Sequence, residues 1–288
     1  MSKNKRKKRS KRAVPSSTAS LPEGNSSSNV DNKKQRTEKA IGKAETEVKI
    51  DTLSFHDAFT TGLAFEQLQS LDGALAAFQR AVECDPNHFD ALIHLADVHS
   101  AIGQHDAALE RYKQASKLKD GKEVASLWFR LGVTYSAMMQ QTKATFTYKK
   151  ALELYEKKLK LQDTKETFLV QLKKDHSVTL AALAESFGEL GDLDSAVKVY
   201  EDAVLKHPND ANMHYNLANM RLARSENTGN TSFDTEVMKC LERALQLCPE
   251  TLEFVKDLAE YLEAHDQQPD RVCELKRIAK DLSSLDLE

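Results

Sequence analysis

The chain has 288 residues, of which 40% are hydrophobic and 30% charged, with ten glycines and six prolines. That length suits one extended body or two small domains, and the low Gly and Pro content suits an all-helical one. No apolar run approaches the roughly 20 residues of a membrane span. The net charge of -3 hides a split: residues 1–50 carry 14 Lys/Arg against 5 Asp/Glu, and the remainder 27 against 39. A basic tail is joined to an acidic body, which bears on partners rather than on fold.

The first twelve residues, MSKNKRKKRSKR, include eight bases and nothing apolar to bury, so residues 1–50 are expected to be a disordered tail and linker. Lys5, Arg6, Lys7 and Lys8 fit a short nuclear import signal, read as a charge cluster by an acidic receptor groove. Two other readings stay open: a merely solvated tail, or contact with nucleic-acid phosphates. Ser and Pro, not an apolar core, follow the basic start, so no secretory signal is expected. The Ser- and Asn-rich linker offers phosphorylation sites, and 36–49 has the composition of a short or transient helix.

From Phe55 onward the helical period dominates, and 51–288 reads as one domain. The clearest stretch is Val178–Pro208. Leu180, Leu183, Ala184 and Phe187 share one helical face, Gly191-Asp192 breaks the helix, and Ala196, Tyr200 and Ala203 mark a second one stopped at Pro208. Small residues let these two helices approach, large ones fill the gaps, and a lone hairpin leaves a face that a neighbour must cover. The neighbours repeat the pattern in phase: Ala74, Phe78, Ala81 and Pro86; Ala108, Tyr112 and Ala115; Ala144, Tyr148 and Ala151. Units are expected at Phe55–His88, Phe89–Lys122, Ala125–Lys158, Ser177–Asp210 and from Ala211 to Pro249. A sixth starts near Leu252, and a capping helix covers about Asp270–Leu282.

Four departures from regularity carry expectations. In the first unit Leu71-Asp72-Gly73 is expected to make the turn. The third unit lacks a glycine at Met138-Met139-Gln140-Gln141, which predicts a less regular connection. The extra residues Leu159–His176 contain no Pro or Gly and predict lengthened helices, with Leu161, Phe168, Leu169 and Leu172 as a candidate apolar stripe. Seven residues added in the fifth unit are expected in the polar turn Ser225–Ser232.

Trp128, Leu131, Gly132 and Tyr135 spell W-x-x-L-G-x-x-Y, the opening of the tetratricopeptide repeat, and the Ala/Tyr/Ala/Pro sets supply its second half. The chain resembles that family from Phe55 to about Pro249. The resemblance implies an all-α solenoid, a right-handed superhelix of five to six helical hairpins that binds other proteins.

Chemistry is not signalled. His94, His99 and His105 lack metal-pair spacing, the glycines form no phosphate loop, and no nucleophile elbow occurs. Cys84, Cys240, Cys248 and Cys273 form no C-x-x-C and read as reduced packing or surface residues. No enzyme, cofactor or metal is expected.

The family places its first helices on the concave face. The inner positions then include Phe59, Leu63, Glu66, Asp90, Ile93, Asp97, Ser126, Phe129, Glu185, Asn212, Tyr215 and Asn219, with Glu189 nearby. Acids between aromatic anchors favour a basic or amphipathic partner segment, and Asn212 and Asn219 suit an extended backbone; ordinary solvated residues on a scaffold are the alternative. Chaperone-binding members grip an acidic tail with Lys, Asn and Arg. Here those positions are Phe59, Leu63, His94, Ser126 and Arg130, with Asn216 the one match in later units, so an acidic tail is disfavoured. The expected role is a non-catalytic adaptor in the nucleus or shuttling between nucleus and cytoplasm. A nucleic-acid-associated factor and a chaperone cofactor are the alternatives; oligomeric state is left open.

Overall fold

The computed structural model describes residues 50–118, 121–161, 166–230 and 232–285. The basic tail, the import signal Lys5–Lys8, the expected linker helix at 36–49 and most of the 159–165 junction lie outside the described residues. The chain divides into 1–49 and 50–288.

Twelve α-helices make up the described part of 50–288, and it contains no strand. They pair as six hairpins: α1 Phe55–Gln67 with α2 Leu71–Cys84, α3 Phe89–Ala101 with α4 His105–Lys117, and α5 Ala125–Ala137 with α6 Gln141–Leu159. The remaining pairs are α7 Glu166–Glu189 with α8 Leu193–Lys206, α9 Ala211–Asn227 with α10 Thr235–Leu247, and α11 Leu252–Ala264 with α12 Pro269–Leu285. Each helix packs mainly on the one before and the one after, the contact pattern of an α-solenoid. Side-chain oxygens of Ser54, Asp192, Asp210 and Asp234 accept amide hydrogen bonds at helix starts, satisfying donors the helix itself leaves unpaired.

The small-large code sets the packing. Ala58, Ala74, Ala81, Ala96, Ala108, Ala115, Ala144, Ala184, Ala196 and Ala203 are fully buried, and Phe78, Tyr112, Tyr148 and Tyr200 fill the space beside them. One core runs from Ala58 to Leu217; a second joins α9–α12, and half-buried Cys240 belongs to both. The last helix buries Val272 and Leu275 and turns Glu274, Lys276 and Lys280 outward, as a solenoid cap must.

The six hairpin turns are alike. A residue in the left-handed region (Gln69, Gly103, Met139, Gly191, Gly229 or Asp266) is followed by an amide that bonds back five residues. The bonds run from Ser70 to Phe65, Gln104 to His99, Gln140 to Tyr135, Asp192 to Phe187, Asn230 to Ser225 and Gln267 to Leu262, at 2.8–2.9 Å. This is the Schellman closure.

Two expectations are thereby corrected. The third turn is as regular as its glycine-bearing counterparts, Met139 adopting φ 58° with its side chain in solvent. The first turn is Leu68-Gln69-Ser70, while Gly73 lies inside α2, where a Cβ would meet the Phe65 ring at 2.6 Å.

The inserted segments mostly lengthen helices. α6 runs for 19 residues and α7 for 24, against 13 for α5. Their extra turns bury Leu154, Tyr155 and Leu172 in a small core of their own. The expected stripe forms only in part: Leu172 is buried and Leu169 half-buried, while Leu161 and Phe168 are more than half exposed. In the fifth repeat α9 takes up part of the insertion as an extra turn, rather than leaving all of it in the loop.

Candidate functional site

The first helices α5, α7 and α9 touch one another in succession, so their inner sides form a continuous surface. The predicted groove residues fall into two electrostatically different stretches along α1, α3, α5, α7, α9 and α11.

In the first stretch the carboxylates already have partners. Glu66 lies 3.0 Å from Nδ1 of His94. Burial alone would lower the His94 pKa, but the Glu66 hydrogen bond and the charges of Glu66, Asp97 and Asp90 outweigh it and raise it. Asp97 accepts hydrogen bonds from Nε of Arg130 at 2.9 and 3.2 Å and from the Tyr112 hydroxyl. Burial opposes the Arg130 charge, and Asp97 more than restores it, keeping the guanidinium cationic. The acidity expected at Glu66 and Asp97 is therefore compensated within the protein. Phe59 stacks on Phe55 with centroids 5.8 Å apart and meets Phe78, His88 and His94, so its ring is largely engaged in the fold. Leu63 packs half-buried against the core.

Between α3 and α5 lies a pocket of about 180 Å³. Phe89, Ile93, Val124 and Leu127 form its apolar lining, and Asp90, His94, Ser126 and Arg130 its polar rim. Sequence reasoning counted Asp90, Ile93 and Ser126 as inner positions but missed the pocket. The only available signal was the apolar Val124 and Leu127 either side of Ser126, which also suits a plain core.

The second stretch is acidic and aromatic. Glu185 and Glu189 are exposed, one helical turn apart on α7, and neither lies within salt-bridge distance of a described basic side chain. Partial burial, then the Glu189 charge, raises the Glu185 pKa. Tyr148 and Tyr200 lie within the field of Glu185 and are held un-ionised chiefly by burial. Phe129 lies 5.8 Å from Tyr148. Farther along, the Tyr215 hydroxyl donates to Asp257 at 2.6 Å, and its ring packs 4.7 Å from Phe254. Asn219 hydrogen-bonds Tyr215, leaving Asn212 as the exposed amide of this stretch. Asp257 and the nearby Glu253 were not among the predicted groove residues.

Among the described residues no group of three or more His, Cys, Asp or Glu could hold a metal ion. Nor is any described helix long and apolar enough to cross a membrane. Of the clamp positions, Arg130 spends its Nε on Asp97.

Six stacked hairpins with a shared small-large core and a groove along their first helices define an α-solenoid built to hold other proteins. The tetratricopeptide repeat family model matches residues 67–127, 125–158 and 178–220, and the chain is a tetratricopeptide repeat protein. It is 26% identical over 155 residues to the BBSome complex member BBS4 of Bos taurus, covering 54% of this chain and 26% of that protein. It is 29% identical over 113 residues to the small glutamine-rich tetratricopeptide repeat-containing protein 2 of Mycosarcoma maydis, covering 39% and 28%. The chain thus spans about a quarter of the length of the curated relatives it matches.

Similar solved structures include pilF of Pseudomonas aeruginosa, with TM-score 0.56 and 15% identity over 79% of this chain and 91% of that one. MamA has TM-score 0.53 and 18% identity over 69% and 94%. YrrB, described as a TPR protein with an unusual peptide-binding site, has TM-score 0.51 and 17% identity over 77% and 96%. At these identities the likeness is one of fold.

Proposed function

We propose that the protein is a non-catalytic adaptor whose groove holds a basic or amphipathic segment of a partner protein. The observation that carries this is the contrast along the groove. Glu66 and Asp97 are neutralised from within, whereas Glu185 and Glu189 stand exposed with no described basic side chain in salt-bridge distance, and along the same face the rings of Phe129 and Tyr215 are only half-buried. Unpaired carboxylates on a preformed surface steer and orient a cationic segment, and the rings give it apolar contact. The likeness to YrrB, whose description names a peptide-binding site, supports a peptide ligand. The basic Lys5–Lys8 cluster supports a nuclear or nucleocytoplasmic location through an import receptor.

The test is affinity capture with the full chain, a chain beginning at Leu53, and a full chain carrying Glu185→Lys and Glu189→Lys. The adaptor reading expects the first two to share partners and the third to lose them with helicity unchanged. Equal capture by the charge-reversed chain refutes it. A second reading rests on the eight bases of the first twelve residues: the tail contacts nucleic acid while the repeats recruit a protein. Steeply salt-dependent binding to RNA or DNA, lost without residues 1–12, would establish it.

A further inference from the structure

The helices α6, α7 and the end of α8 meet at one buried imidazole. His176 of α7 is 1% exposed, and its Nδ1 lies 2.8 Å from Nε2 of His207, the residue that closes α8. Its Nε2 is buried and faces Oε1 of Glu156 on α6 at 3.8 Å, too far for a hydrogen bond. Lys206 holds that same oxygen at 2.6 Å. We infer that the histidine pair is a proton-sensitive latch. Uncharged, it ties the end of α8 to α7 beside α6; charged, it releases, and the repeats on either side change angle.

Counting protons shows why. Two neutral imidazoles joined by one N–H···N contact carry a single hydrogen between them. The Glu156 carboxylate attracts a hydrogen on His176 Nε2 and repels a lone pair there, so the site selects the Nε2–H form of His176, with His207 Nε2 donating to His176 Nδ1. Both ring nitrogens of His176 are then committed. The next proton enters at Nδ1 of half-buried His207, and one more sets N–H against N–H and breaks the contact.

The surroundings resist even the first proton. The groups facing the pair are Glu156 of α6 with Lys160 beside it, Lys173 of α7, Asp202 and Lys206 of α8, and Asp210 at the start of α9. Burial, then His207 and Lys206, lower the His176 pKa to about 4, against Glu156 and Asp202. Burial is also the largest cause lowering His207, aided by Lys173 and Lys206 and opposed by Asp210 and Asp202. Opened to water, each ring regains its ordinary value of about 6.5. Opening is therefore coupled to proton uptake. The titration of His176 alone favours the open joint about twentyfold more at pH 5 than at pH 7.

The contacts next to the latch carry its state outward. Lys206 reaches Glu156 across 50 residues and Ser177 donates to Asp210 across 33, so this one cluster sets α6 against α8 and α7 against α9. Since α7 also carries Glu185 and Glu189, the latch fixes where those carboxylates stand relative to α5.

The experiment places nitroxide labels on the exposed native Cys84 and Cys248, one on each side of the joint, in the full chain carrying Cys240→Ala and Cys273→Ser. Pulsed electron spin resonance measures their separation between pH 7 and pH 5. The expected result is one distance at pH 7 and a second population growing toward pH 5 at unchanged helicity. With His176→Asn and His207→Asn introduced together the distances should be independent of pH, because amides do not titrate here. No second population at pH 5 overturns the inference. So does the same pH response in the double variant, which would assign it to carboxylates such as Glu185. Loss of helicity in step with the second population means unfolding rather than a moving joint, and overturns it as well.

Discussion

Gly132→Ala tests the packing logic most directly, because the usual helix rule predicts the opposite sign. Inside an exposed helix, replacing glycine by alanine stabilises by about 1 kcal/mol. At position 132 the added Cβ would lie 2.3, 2.5 and 2.9 Å from Cε1, Cδ1 and Cζ of Tyr148. Carbon pairs rest at about 3.5–4.0 Å, so the ring must withdraw by more than about 1 Å. That ring is 3% exposed and abuts Phe129, leaving it little room. Overpacking of this kind costs about 1–3 kcal/mol, which cancels or exceeds the helix gain and leaves the variant up to about 2 kcal/mol less stable. The equivalent site of the first repeat is also a glycine, Gly62, where a Cβ would meet the Phe78 ring at 2.5 Å, whereas the second and fourth repeats hold Ala96 and Ala184 there. Urea midpoints at unchanged slope, followed by circular dichroism, measure the difference. The double variant Gly132→Ala, Tyr148→Leu should be less destabilised than the sum of its parts, as Ala218 with Leu241 in the fifth repeat suggests. A stabilising Gly132→Ala would show that the close approach is not a constraint, and the small-large account of this fold would fail at its best-defined contact.

Other outcomes follow from single residues. Asp97→Asn leaves Arg130 without its counter-charge and should lower stability by about 1–3 kcal/mol in urea unfolding. Met139→Gly should stabilise by roughly 0.5–1 kcal/mol, the left-handed strain relieved exceeding the entropy glycine adds to the unfolded chain. Acid should weaken the junction of the third and fourth repeats. Burial, then the charges of His207 and Lys206, hold the His176 pKa near 4, against the opposing pull of Glu156 and Asp202. The unfolded chain therefore takes up this proton from about pH 6.5 downward and the folded chain does not. Stability is complete above that pH and falls by up to about 1.4 kcal/mol per unit until about pH 4. Urea midpoints between pH 7 and 4.5 should flatten in His176→Asn.

The fold was legible because its code is local and repeated. Ala at one position and Tyr or Phe four residues on recur in phase, and each recurrence confirms the last. What escaped was conformation without a composition signal. Gln69, Met139 and Asp266 take the left-handed turn position that Gly103, Gly191 and Gly229 announce. The turn is enforced by the backbone closure and by the helices on either side, so glycine eases it without being required. The 159–176 stretch was legible as added helix because it lacks breakers. Two of its four apolar residues were misjudged: Leu161 falls past the end of α6 and Phe168 in the first turn of α7, where both stay more than half exposed, while Leu172, a turn further in, is buried.

The groove illustrates a different limit. Helical phase says which positions face inward but not which charges remain available there. In a solenoid that second question also has a periodic answer, because residues about one repeat apart in sequence are neighbours in space. Asp97 meets Arg130 across 33 residues, Ser177 meets Asp210 across 33, and Lys157 meets Glu123 across 34. Reading each inner acid against positions near 34 residues away would have flagged Asp97 as answered by Arg130. Across 28 residues Glu66 meets His94, so the window must be several residues wide. Applied to Glu185, a window of 28–40 residues holds Thr145–Lys157 behind and Met213–Ser225 ahead. It contains Lys149, Lys150, Lys157, Arg221 and Arg224, yet Lys149 lies over the Phe187 ring, Lys150 pairs with Glu153, Lys157 with Glu123, Arg221 with Glu201 and Arg224 with Asp194. The period nominates partners and only geometry assigns them. The nominated bases are engaged elsewhere, which is why the acidic end of the groove falls on α7 rather than on α3.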